Sequence, residues 1–185
     1  METLFDLFGA LTLGEPPADE WDDAALERAW QGEEALWMAK LAGPVAERRA
    51  QVAAACALAR RVERLLPAGD PRALRAIAAA ERWLARPSDA PEALSSVAEQ
   101  AYLAEIDATP QGFGCTSAVK VAFDPALVAL GEGTLASTVL HAENAIANGE
   151  GAERRAAQAE IAVLLRAHIA CPRLAALRGA AFDGE

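Results

Sequence analysis

Apolar positions along this chain recur every three or four residues, the spacing that gathers them on one face of an α-helix. Leu4, Leu7, Phe8 and Leu11 keep that rhythm with Phe5 beside them, predicting a short amphipathic helix over 3–12. Gly14, Pro16 and Pro17 break it. Asp22 and Asp23 stand where a helix running to Gln31 would be capped, and Gly32 stops it. A further helix over 33–41 ends at Gly43-Pro44. The clearest periodicity lies in 45–66. There Val52, Cys56, Ala59, Val62 and Leu66 line one face while Arg49, Arg60 and Arg64 turn away. Pro67 ends that helix. Asp70-Pro71 reads as a cap followed by proline at the first helical position, opening a helix that reaches Leu84 or Ala85. Leu74, Ile77, Ala78 and Leu84 lie on one side of it and Ala76, Ala80 and Trp83 on another, which predicts a central place in a bundle.

Pro91 opens a helix to about Asp107 with Leu94, Val97, Ala98 and Ala101 as its stripe. A loop at 110–114 leads to two short helical pieces, 115–123 and 125–130, parted at Asp124-Pro125. After a loop at 131–133, Thr134 caps a helix to Asn148. The last long helix covers 152–169 with Ala157, Ile161, Leu164, Leu165 and His168 in a seam, and Cys171-Pro172 ends it. No run alternates over strand length. The expected fold is all-α, a compact bundle of about seven to nine helices. A pairwise rhythm without fixed period leaves solenoid-like hairpin packing open. The expected organisation is an amphipathic helix and proline linker (1–20), one helical domain (21–172) and a loose tail (173–185).

Composition supports this picture. Apolar residues make up 53% of the chain and aromatics only 5%, and roughly a quarter is alanine, which favours close helix packing. No stretch reads as the ~20 apolar residues of a membrane span, and Met1-Glu2-Thr3 lacks a basic signal-type start. Together these predict a cytoplasmic protein with no membrane partner. Cys56, Cys115 and Cys171 form no paired spacing and predict reduced thiols.

The net charge of −10 falls in blocks. Residues 1–39 carry ten acids against Arg28 alone, 43–86 carry nine arginines against four acids, and 87–153 carry ten acids against Lys120. Two readings follow. Either the front-end acids meet the arginines of 48–86 within the fold, or they form a docking surface for a basic partner. The arginines are too mixed with acids and alanine to make a nucleic-acid stripe.

Candidate chemistry is sparse. His141-Ala142-Glu143 has the His-x-Glu form of zinc deaminases but no Pro-Cys-x-x-Cys element accompanies it. With Asn144 and Asn148, His141 reads instead as a solvated polar stripe. His168 and Cys171 could share a metal with Cys115 and His141, although His168 reads more simply as a histidine beside a helix C-terminus. Cys115, near a loop-to-helix junction, has the position of an activated thiol but no histidine close in sequence. Cys56 lies on a core face. The expected cofactor and metal complement is none, and the Gly-x-Gly pairs at 112–114 and 131–133 lack the rest of a phosphate-binding fingerprint.

The stretch 70–123 resembles an uncharacterised family of alanine-rich, all-helical bacterial proteins. The likeness rests on Ala76-Ile77-Ala78-Ala79-Ala80-Glu81-Arg82-Trp83-Leu84, on Arg86-Pro87-Ser88, on the alanine helix from Ser96 to Ala104, on Thr109-Pro110 and on the small-residue run to Ala122-Phe123. Asp124-Pro125 and Gly131-Glu132-Gly133 stand where that family has a Trp-Ser-Gly-Gly-type turn and a proline-rich loop. The resemblance implies no catalytic residue and a loose association with bacterial secretion systems. Residues 45–105 are similar to helical immunity proteins of toxin systems. The expectation is therefore a non-enzymatic protein–protein interaction module, an accessory or adaptor of a secretion or toxin-delivery system. Its expected contact residues are Leu4, Phe5, Phe8, Trp21, Asp22, Asp23, Glu27 and Trp30. The alternatives are an immunity protein covering a basic toxin with acidic surface, and a metal- or thiol-dependent enzyme.

Overall fold

A computed structural model describes residues 3–12, 21–87 and 91–180. Among them every regular element is helical. In chain order these are α1 (Leu4–Thr12), α2 (Asp23–Trp30), α3 (Ala35–Ala42), α4 (Arg48–Val62), α5 (Pro71–Ala85), α6 (Pro91–Ala98), α7 (Ala101–Ala108), α8 (Phe113–Leu130), α9 (Leu135–Gly149), α10 (Arg154–His168) and α11 (Leu174–Arg178). The predicted caps form. Asp22 Oδ1 accepts from Ala25 N–H at 2.6 Å, Asp70 Oδ1 from Arg72 N–H at 2.9 Å, and Thr134 Oγ1 from Ser137 N–H at 3.1 Å. Each satisfies a donor that the first helical turn leaves open.

The centre of the bundle is α8, which packs on α9, α4, α5, α6 and α7. It is one continuous helix, not two pieces. Pro125 lies inside it and Asp124 and Pro125 are both buried, so contacts on all sides hold the helix through a residue that cannot donate to Val121. By length and mean hydropathy (1.4) α8 would suit a membrane span, but 72% of it is buried within the bundle. Its first turn crosses the last turn of α9 backbone to backbone. A Cβ on Gly114 would lie 2.5 Å from Gly149 Cα, so only glycine permits this approach.

The helix expected over 91–107 is two. Leu94 of α6 belongs to a small cluster with Val52, Cys56, Ala79, Ala80 and Val128. Ala104 and Ala108 of α7 instead reach the main core, and the break near Gln100 lets each half face its own cluster. Residues set apart by the sequence pattern also join the main core: Leu4 and Leu7 of α1, and Leu174 and Leu177 of α11. The linker at 13–20 and the tail beyond 180 lie outside the described residues. The α10 seam consists of Ala157, Ile161, Ala162 and Leu165, while His168 is exposed.

Candidate functional site

The expected contact residues divide between core and surface. Leu4, Trp21 and Trp30 are buried and Phe8 nearly so, and all four belong to the main core. Phe5 is exposed, with its ring 4.8 Å from that of Trp37. Asp22 caps α2. Asp23 Oδ1 accepts from Leu174 N–H at 2.8 Å and so pins α11. Glu27 Oε1 accepts from Gln31 Nε2 at 3.2 Å and stands with Asp23 beside the Cys171 thiol. Burial first, then those carboxylates, pushes that thiol up to about 12.

Among the described residues, the ion pairs of Arg60, Arg61, Arg64 and Arg72 are with acids outside the front end. Arg61 holds Glu150 (2.7 Å) and Glu160, Arg60 holds Glu63 and Glu81, and Arg72 holds Asp70 and Asp107. The front end finds other bases: Glu33 with Arg155, and Asp23 with Arg173 at 3.7 Å. Among the described residues, the arginines of 60–72 thus pair mainly with acids that follow them in the chain.

Two polar arrangements escaped the sequence pattern. His141 Nδ1 lies 2.9 Å from Asp124 Oδ2, so the histidine is not part of a solvated stripe. Asp124 is 4% exposed, and burial pushes its carboxyl above the usual aspartate range while the His141 contact opposes the rise. Glu143, also buried, accepts from Arg154 Nη1 at 2.9 Å and Gln158 Nε2 at 3.1 Å, joining α9 to α10. Neither carboxylate carries a local sequence signal beyond a position on a helix face. Among the described residues no three His, Cys, Asp or Glu side chains gather as a metal site would require, so Cys115, His141, His168 and Cys171 are not brought together. Burial raises the Cys115 thiol pKa, the opposite of thiolate activation.

The most distinctive surface is α7 and the start of α8. Ala104 and Ala108 face the core, and Tyr102 and Ile106, two residues out of phase with them, face solvent. Tyr102 is 71% exposed, Leu103 57%, Ile106 48% and Phe113 62%. Single exposed apolar side chains are ordinary, whereas here four large ones fall between residues 102 and 113. Its charges are all acidic: residues 91–119 contain Glu92, Glu99, Glu105 and Asp107 and no base. Lys120 reaches Glu105 at 2.9 Å and Arg72 reaches Asp107 at 2.6 Å from outside the stretch. Glu92 and Glu99 have no ion-pair partner among the described residues.

Comparison with known proteins gives no relative: no family model matches the chain, and neither curated proteins nor solved structures give a match.

Proposed function

We propose that this chain is a protein–protein interaction module that docks a basic partner on α7 and the first turn of α8. One observation carries the reading: Tyr102, Leu103, Ile106 and Phe113 are all exposed within a stretch whose charges are all acidic. Aromatic and aliphatic anchors supply affinity in such surfaces, and the surrounding acids steer a cationic partner and reject an anionic one. An accessory or adaptor of a bacterial secretion or toxin-delivery system is the setting in keeping with the resemblance of 70–123. An immunity protein covering a basic toxin is the second reading, favoured by the same acidic rim.

A photo-crosslinking residue placed at Tyr102 tests the docking face, with Val163 of α10, 60% exposed, as the control position. The expected result in cells that naturally express the chain is an adduct from position 102 that maps to a basic segment of one partner. Absence of an adduct, or an equal adduct from position 163, overturns the reading. Rescue from a toxin by coexpression of this chain, lost on Ile106→Ser, would identify the partner as a toxin. Copurification with a secretion component, weakened by salt, would identify an adaptor.

A further inference from the structure

Asp124 and His141 bring a carboxylate and an imidazole together where α8 packs on α9. Asp124 is 4% exposed, while the His141 side chain is 25% exposed. The ring therefore reaches from a buried carboxylate toward solvent. Nδ1 lies 2.9 Å from Asp124 Oδ2, and Nε2 has no hydrogen-bond partner among the described residues. A buried charged pair contributes little more to stability than an apolar pair of the same volume, so packing alone does not account for it.

The pairing sets the chemistry of the ring. With the carboxylate ionised and the ring neutral, the ring proton sits on Nδ1 and donates to Asp124, and Nε2 keeps its lone pair. Positive charge that develops on the ring when Nε2 forms a bond is stabilised by the carboxylate behind it, the part an aspartate plays toward histidine in a hydrolytic triad. Thr138 and Lys120 favour the charged form of Asp124. Donors also stand close to the ring. Ser137 and Asn144 lie one turn to either side of His141 on α9. Asn144 Oδ1 accepts from Arg154 Nη2 at 3.3 Å, which leaves Nδ2 to donate. Lys120, one turn before Asp124 on α8, reaches Glu105 at 2.9 Å and has further N–H groups to offer.

We propose that His141 Nε2 is a phosphoacceptor, taking a phosphoryl group from an acyl phosphate or a phosphoramidate. The Nε2 lone pair attacks phosphorus and an N–P bond forms. The P–O or P–N bond to the leaving group breaks, and the carboxylate or ammonia departs with that electron pair. The Nδ1 proton stays on the ring, whose positive charge then faces Asp124. Phosphoryl oxygens can take bonds from both Asn144 Nδ2 and Lys120, whereas an acyl group at the same nitrogen would offer a single oxygen. Asp124 is a positioning residue. The inference stands apart from the docking face of α7.

The full chain treated with potassium phosphoramidate at mildly alkaline pH tests the proposal. Incorporation is followed by phosphorus NMR, and each site is located by mass spectrometry of peptides kept out of acid. The chain has two histidines, and His168, exposed at the end of α10 without a carboxylate partner among the described residues, is the internal reference. His141 is expected to react at least about tenfold faster than His168 and to give the Nε2 isomer. Asp124→Asn should bring the His141 rate down to about that of His168 and leave His168 unchanged. Urea, which removes the pairing without any substitution, should make the two rates equal. A His141 no faster than His168 in the folded chain, an Nδ1 product, a rate ratio unchanged by Asp124→Asn, or a ratio that persists in urea would each overturn it.

Discussion

Glu150 follows α9 and ties its end to the end of α4, and its replacement by glutamine has a consequence that depends on pH. Its carboxylate accepts from Arg61 Nη1 at 2.7 Å and Nη2 at 3.1 Å, and lies 2.7 Å from Arg64 Nη2. Arg61 also holds Glu160 of α10. The Arg61 guanidinium, with Arg64 adding to it, brings the Glu150 carboxyl from its ordinary 4.5 down to about 2. A shift of that size corresponds to ~3 kcal/mol at full strength, and solvent screening of a partly open cluster reduces it to about 1–2 kcal/mol. Because the folded value lies below the unfolded one, this stability is fully present above about pH 4.5 and is lost as pH falls toward about 2. Glu150→Gln should therefore be less stable than the parent by about 1–2 kcal/mol at neutral pH, and the gap should close as the parent's Glu150 protonates. Urea titrations followed by far-UV circular dichroism at a series of pH values measure the difference. Contributions from other carboxylates are common to both proteins and cancel. A gap that is the same at neutral and acid pH, or no gap at neutral pH, would refute the reasoning.

Gly114→Ala drives a Cβ into the Gly149 backbone, where nothing flexible can yield. It should cost about 1–3 kcal/mol and lower the thermal midpoint, whereas Gly69→Ala, with open space around its Cβ but a φ of +84°, tests backbone strain without a clash. Leu4→Ala removes a fully buried side chain and should destabilise by about 2–5 kcal/mol; unchanged melting would show that α1 does not contribute to the core as its burial requires. Asp124 has a folded pKa above its unfolded 3.8, so its linkage runs opposite to that of Glu150: stability falls as pH rises from about the unfolded value through the folded one. Asp124→Asn should therefore gain on the parent as pH rises through that window, read from melting curves at several pH values. A gap that does not move with pH would contradict it.

Much of the helical framework was legible before any coordinates, because caps and apolar spacing are local. Asp22, Asp70-Pro71 and Thr134 begin helices where the pattern placed them, since each satisfies nearby N–H groups without help from distant chain. The pattern over 45–66 was equally readable, although its last turn tightens into a 3-10 turn at Glu63–Leu65. The two misplaced breaks had a common cause. Proline is a strong local signal, yet tertiary contacts carry α8 through Pro125; no local signal marks Gln100, yet two separate clusters bend the chain there.

The candidate sites were far less visible. Hydrophobicity alone gave Leu4, Phe8, Trp21 and Trp30 and Tyr102, Ile106 and Phe113 the same character, and only the packing shows that the first set is core and the second is surface. The partners of the charges were equally hidden. Arg61 meets carboxylates 89 and 99 residues away, and the buried Glu143 takes Arg154 and Gln158 of the next helix. Sequence by itself determined that this protein is helical, acidic in blocks and poor in catalytic side chains, because propensity, capping and composition act over a few residues. Tertiary structure alone decided which apolar faces are covered and which acids are neutralised. Those outcomes depend on distances between residues that lie far apart along the chain.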